Sequence, residues 1–171
     1  MKHYIQLSII TAICILLIGC KSQSVKKDTY IEQPIIVKTD NPSIKDKLIA
    51  EAKTWIGTPY KYAHAQKGQG TDCSGFIMTI VNDVAGIKLP RNSAKQSEFC
   101  TEIKRQDLKP CDLVFFATGK SMQKISHVGM MIDDDNFIHA SSSKGVVISK
   151  LSSNYYTTRL IKCCRIPNLN D

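Results

Sequence analysis

The chain predicts an α+β fold, with N-terminal helices packed on an antiparallel sheet of about five to six strands. Two observations carry this expectation. Residues 43 to 99 place apolar side chains at helical spacing, and residues 112 to 166 hold short apolar runs separated by turn residues. Helices that precede a block of strands, instead of alternating with it, gather on one side of an antiparallel sheet.

The N-terminus reads as an address. Met1 to Gln6 carries Lys2 and His3, Leu7 to Ile18 is an almost unbroken apolar run, and Gly19-Cys20 closes it. That order is the layout of a secretory signal. The run is shorter than the roughly 20 residues that a membrane span requires. Leu17-Ile18-Gly19-Cys20 also resembles a bacterial lipobox, in which the cysteine thiol is lipidated and the peptide before it removed. A plain anchor helix is the alternative, but a cysteine right at the end of the apolar run favours lipidation at Cys20. Residues 21 to 43 are dominated by Lys, Ser, Gln, Thr and Asp, with Pro34 and Pro42, and cannot bury a core alone. The expected organisation is a signal peptide over 1–19, a lipidated cysteine and flexible linker over 20–43, and a folded domain over 44–171. The expected location is the bacterial envelope, lipid-anchored to a membrane, on the periplasmic face of the outer membrane.

Ser43 is placed to cap a first helix, whose apolar positions are Ile44, Leu48, Ile49, Ala52 and Trp55-Ile56; Gly57-Thr58-Pro59 stops it. Tyr60 to Thr71 reads as loop. A second helix is expected from Cys73 to about Val84, with Phe76, Ile77, Ile80, Val81 and Val84 on one face and Gly86 as its end. A short third helix follows Pro90, around Ser93 to Phe99. Strands are expected at 112–116, 128–132, 137–140, 145–148 and 159–166. Asp133-Asp134-Asp135-Asn136 reads as a tight turn, since it lacks the alternating ligands and closing Glu of a calcium loop.

Removing residues 1–19 from the 171-residue chain leaves 152, enough for one domain with a core. The full chain has 23 basic against 15 acidic residues, a net of +8; the signal removes Lys2 and leaves +7. The charge is scattered. Lys26-Lys27 and Lys104-Arg105 are the adjacent basic pairs, with no aromatic ladder beside them, so nucleic acid is not an expected partner. A basic surface suits an anionic polymer or lipid headgroup.

The chemistry lies in Thr71-Asp72-Cys73-Ser74-Gly75-Phe76, Ser126-His127-Val128-Gly129 and Phe137-Ile138-His139-Ala140. A thiol needs a base to become a nucleophile, and the base needs a third group to orient its ring. Cys73 at a helix start is expected to have its pKa lowered by free N–H groups and the helix dipole, and the same N–H groups can donate to an oxyanion. A lone cysteine there is more often structural; two strand-borne histidines downstream reverse that reading. If their strands pair across the acidic turn, the rings of His127 and His139 meet on one face. The chain therefore reads as a cysteine hydrolase.

Six segments also carry a family resemblance. Gly57-Thr58-Pro59-Tyr60, Thr71 to Phe76, Leu89-Pro90-Arg91-Asn92-Ser93-Ala94-Lys95-Gln96, Leu108 to Phe116, His127-Val128-Gly129 and Ile138-His139-Ala140 resemble, in order, the motifs of the NlpC/P60 cell-wall peptidases. The resemblance implies a papain-like domain that hydrolyses peptidoglycan stem peptides, usually between D-glutamate, through its γ-carboxyl, and the following diamino acid. It implies Cys73 as nucleophile, His127 as base and His139 as the orienting group, with Tyr60 lining the site near the oxyanion. The expected substrate-binding residues are Tyr60, Asp72, Ser74, Arg91, Asn92 and Ser93. Neutral Asn92 predicts no strong demand for a free stem amine, although Asp72 is a possible carboxylate partner for one. The chain departs from the family at Ala63-His64-Ala65, where Gly-Gly is frequent, and at Cys111, where Gly precedes the aspartate. A catalytic role for His64 is not expected.

Cys100, Cys111, Cys163 and Cys164 remain beside the lipidated and catalytic cysteines, with three possible pairings in a compartment that permits disulfides. A zinc site lacks Cys-x-x-Cys spacing, and Cys163 and Cys164 should face opposite ways on a strand. No cofactor or metal is expected. The expected partners are peptidoglycan stem peptides and, through the anchor, a membrane; the protein is expected to be a monomer. Two rival functions are a non-catalytic wall-binding module, which needs no thiolate, and an acyl- or lipid-modifying enzyme, which needs a large apolar groove.

Overall fold

Ser43 begins the folded part as a reciprocal cap. Its hydroxyl accepts the Asp46 N–H while the Asp46 carboxylate accepts the Ser43 N–H, and helix α1 runs over Ile44–Thr54. The computed structural model describes residues 41–169, so the signal, Cys20 and most of the linker lie outside the described residues. Helix α2 spans Cys73–Ala85 and ends on Gly86 at φ 67°. Helix α3 spans Ser93–Phe99. Among the described residues no helix is long and apolar enough to cross a membrane.

Between α1 and α2 a small antiparallel pair, β1 (Ala65–Gln66) and β2 (Gly70–Thr71), replaces the expected plain loop. Its two-residue strands are too short to leave an alternating pattern. The main sheet contains β3 (Thr101–Ile103), β4 (Leu113–Phe116), β5 (His127–Met131), β6 (Asn136–Ser141), β7 (Gly145–Lys150) and β8 (Leu160–Arg165). Its order is β3-β8-β4-β5-β6-β7, and each neighbouring pair is antiparallel. β3 and a one-turn helix α4 (Asn154–Thr157) were not evident in the sequence. Both are short, and β3 is exposed along most of its length.

Both faces of the central strands are buried, which is why β4 and β5 read as continuous apolar runs. On the helix side, Leu113, Phe115, Val128, Met130, Ile138 and Ala140 pack with Leu48, Trp55, Phe76, Ile77 and Ile80. On the other, Val114, Phe116, Met131, Phe137 and Cys163 pack under Leu151, Tyr156 and Leu160. Cys163 and Cys164 do face opposite ways. Cys164 bonds Cys100, so a disulfide fastens the end of α3 to β8.

Cys111 adopts φ 73° and keeps the turn that a glycine would make. Its N–H donates to the Met131 carbonyl, and the Met131 N–H returns to the Asp112 carbonyl. Ala63 likewise lies at a positive φ, 61°. The acidic stretch is a turn: Asp133 Oδ1 accepts the N–H groups of Asp135 and Asn136 at 3.0 and 2.7 Å.

Gly129 fixes how closely β5 approaches the Phe137 side chain. A Cβ there would stand 2.5 Å from the Phe137 ring and 3.1 Å from the Ile138 carbonyl oxygen. Gly129→Ala is expected to lower the unfolding free energy by about 1–3 kcal/mol, measured by urea denaturation.

Candidate active site

Asp72 decides where α2 starts. Its Oδ1 accepts the Gly75 N–H at 2.7 Å, making it the N-cap. Its Oδ2 accepts the Ala63 N–H at 2.9 Å, and Arg91 grips both oxygens at 2.8 and 2.7 Å. Ser74 adds its hydroxyl at 3.1 Å. Burial alone would raise the Asp72 carboxyl pKa. Arg91 and the two N–H groups outweigh it and hold the group below the usual carboxylate range. Gly75 lets the preceding loop close on the helix start, since a Cβ would meet the His64 carbonyl oxygen at 2.6 Å.

Cys73 is thereby placed in the first turn, 6% exposed, beside the start of β5. Burial raises its thiol pKa, and the Asp72 charge adds to that; N–H groups of Val128, Ser74 and Cys73 itself pull the other way. The net rise corrects the expectation of a thiol acidified by the helix dipole. The carboxylate that caps the helix offsets the dipole's positive end, and the thiol is nearly out of water.

His127 opens β5 and His139 lies in β6. The β5–β6 pairing brings the rings together as the sequence suggested. His127 Nε2 lies 2.9 Å from His139 Nδ1, with the rings edge-on at 89°. Phe137 stacks on His139 at 4.8 Å, and Phe116 lies 6.1 Å from His127. Burial pushes the His127 pKa down to about 4. Burial, and then the neighbouring His127, push His139 down to about 3. Both rings are therefore neutral near pH 7.

Two adjoining depressions flank these groups and share Tyr60 and Ser126. One is lined by Cys73 with Asp72, Ser74, Arg91, Asn92 and Ser93; the other by His127 and His139 with Tyr155 and Tyr156. The sequence-predicted site residues within the described part thus line one or other of these two depressions. Asn92 Oδ1 caps α3 by accepting the Lys95 N–H, and Ser93 is buried. His64 contributes its main chain, its carbonyl accepting the Asp72 N–H at 3.0 Å.

Three further residues support the site, and the sequence assigned a role to none of them. Ser126 accepts the Thr118 and Gly119 N–H groups at 2.9 Å each, closing the loop over the groove. Ser149 Oγ and Tyr156 Oη reach His139 Nε2 at 3.0 and 3.1 Å. Ser149 lies across from Phe137 in the β6–β7 register, so extending the β7 alternation beyond Ile148 would have placed it on the histidine face. Tyr156 sits on the one-turn helix and left no periodic signal.

The profile of the NlpC/P60 family matches residues 57–165. The chain is 37% identical over 128 residues to the "Probable endopeptidase NlpC" of Escherichia coli (strain K12), covering 75% of this chain and 82% of that one. It is 32% identical over 126 residues to the "Murein DD-endopeptidase MepS/Murein LD-carboxypeptidase" of the same organism, 74% and 65%. It is 38% identical over 112 residues to the "Gamma-D-glutamyl-L-lysine dipeptidyl-peptidase" of Bacillus cereus, 65% of this chain but 33% of that one. An NlpC/P60 crystal structure from Bacillus cereus superposes with a TM-score of 0.66 at 35% identity, over 72% of this chain and 40% of that one. Sheet, site and sequence agree: the chain belongs to the NlpC/P60 family.

The buried neutral histidines set a pH dependence of stability. Above pH 6.5, the ordinary histidine pKa, the rings are neutral whether folded or not. Below it the unfolded chain takes up protons that the folded pair refuses, so stability falls as pH drops towards 4. The expected loss at pH 5 is on the order of 1–2 kcal/mol per ring. A His127→Gln/His139→Gln protein is expected to show a flatter profile of urea midpoint against pH.

Proposed function

We propose that this protein is a peptidase that hydrolyses peptidoglycan stem peptides, with Cys73 as nucleophile, His127 as base and His139 as the group that orients it. The observation that carries the reading is the 2.9 Å hydrogen bond between the two histidines, together with the Val128 N–H, next in the chain after His127, reaching the sulfur of Cys73 in the first turn of α2. His127 takes the Cys73 proton as sulfur attacks the carbonyl carbon, so the high thiol pKa is met by transfer within the complex. Main-chain N–H groups at the helix start donate to the oxyanion. His127 then protonates the departing amine, leaving a thioester. Water, deprotonated by the same ring, releases the acid and restores the thiol.

The relatives' names support the substrate class, murein for one and a γ-D-glutamyl-L-lysine peptide for another. The proposed bond lies between D-glutamate, through its γ-carboxyl, and the diamino acid. The cysteine-side depression carries Ser74, Arg91, Asn92, Ser93 and Ser126 on its lining, hydrogen-bonding groups that a peptide would use and an acyl chain would not. Its carboxylate, Asp72, is fully engaged by Arg91, Gly75 and Ala63, and Asn92 is neutral. The groove therefore offers no ready partner for an ammonium, and stems still joined to glycan are proposed substrates. The N-terminal segment supports a lipid anchor at Cys20, with the periplasmic face of the outer membrane as its proposed location.

Digestion of purified muropeptides, with products identified by mass spectrometry, tests the activity. Cys73→Ala and His127→Ala are expected to lose turnover, and His139→Ala to lose about 100-fold in kcat. A sugar-bearing stem should be cut at least as fast as the same peptide with a free amine. Intact cleavage by Cys73→Ala would contradict the mechanism. Cuts only at links between stems would move the bond while keeping the chemistry.

Lipidation is tested by fractionation. Wild-type protein is expected in membranes with residues 1–19 removed, and Cys20→Ala as a released or uncleaved form. A wild-type protein found wholly in the aqueous fraction would overturn the anchor.

A further inference from the structure

The hydrogen-bonded chain continues past His139. Its Nε2 meets Ser149 Oγ at 3.0 Å and Tyr156 Oη at 3.1 Å, so one ring nitrogen faces two hydroxyl groups. Burial raises the Tyr156 phenol pKa, and the Ser149 side chain draws it back.

The two histidines cannot choose their tautomers separately. Each ring is neutral near pH 7 and carries one N–H. His127 Nε2 and His139 Nδ1 face each other at 2.9 Å, so one of them holds a proton and the other accepts it. In one state both rings carry the proton on Nε2. His127 donates to His139, His139 donates to a hydroxyl oxygen, and Nδ1 of His127 is left bare. In the other state both rings carry it on Nδ1. A hydroxyl then donates to His139, and His127 has no lone pair left to take a proton from a thiol. The groups beyond His139 therefore decide whether His127 can act as a base.

We propose that Ser149 is a positioning residue that holds the pair in the first state by accepting the Nε2–H of His139, with Tyr156 as the competing hydroxyl at the same nitrogen. This rests on His127 acting as the base. Ser149 has the larger share, because the β6–β7 register fixes its side chain on the His139 face of the sheet, whereas Tyr156 stands on a one-turn helix. Without Ser149 the phenol is the hydroxyl left facing Nε2, and a phenol donates to a neutral imidazole more readily than it accepts from one, so both rings are driven into the second state.

Nitrogen-15 spectra of the histidine rings at pH 7, without substrate, test this in the full chain, together with kinetics on a defined stem peptide. Wild type is expected to show both rings protonated on Nε2. Ser149→Ala is expected to shift both towards Nδ1 and to lower kcat about tenfold with KM unchanged within about twofold. Ser149→Thr keeps the hydroxyl and is expected to retain the wild-type tautomer and a rate within about twofold. Tyr156→Phe keeps the Ser149 acceptor and is expected to lose less than about threefold. A wild-type spectrum with the protons on Nδ1 would overturn the proposal, whether or not any variant folds. So would a folded Ser149→Ala protein with unchanged tautomers and kcat. A protein that cleaved no stem peptide yet showed both rings protonated on Nε2 would defeat the proposed reaction and leave the tautomer assignment standing.

Discussion

The structure depends on how one buried carboxylate is satisfied. Asp72 is 5% exposed and carries charge at the start of α2, where an unpaired carboxylate would be costly. Its oxygens are met by the Gly75 and Ala63 N–H groups and by the Arg91 fork. Each of these ties down a different segment: the helix itself, the loop between α1 and α2, and the loop before α3. The nucleophile candidate is the next residue in the chain. Its place is fixed because three segments converge on the residue before it. Removing any one partner leaves charge behind in a site that excludes water, which links folding of the loops to geometry at the thiol.

The same arrangement shapes the chemistry. Asp72 caps the helix but also adds negative charge near Cys73, and burial keeps that thiol protonated at rest. The histidines are neutral for a matching reason, since neither ring has an anion beside it to favour an imidazolium. Thiol and base therefore rest as a neutral pair. The proposed reaction creates charge only as the carbonyl is attacked, inside a groove whose N–H groups already point at the sulfur. That is preorganisation in the ordinary sense: the dipoles are in place before charge appears.

The fold was legible where the sequence repeats a period. α1 and α2 keep apolar spacing, α3 follows the Pro90 break, and the central strands carry unbroken apolar runs. Ser43 caps as its position suggests; Asp72 and Asn92 also cap, a role the sequence had not assigned to them. β1, β2, β3 and α4 were not legible because two to four residues hold no period. Cys73, His127 and His139 stood out because each pairs a reactive side chain with an element end or a strand register. Ser149 and Tyr156 did not, since a hydroxyl on an edge strand and a tyrosine in a short turn are ordinary until the sheet places them against His139. The rise in the Cys73 pKa was missed for a similar reason. The helix start was visible in the sequence, but the depth of burial and the capping charge belong to the tertiary structure.

The most direct test of the account is to trap the acyl-enzyme. A stem-peptide substrate is mixed with wild-type protein and quenched in acid, and the modified residue is located by tandem mass spectrometry. The account predicts a hydroxylamine-sensitive adduct of the acyl half of the substrate on Cys73. Turnover with the adduct on another side chain, or continued turnover after Cys73 has been fully alkylated, would contradict it.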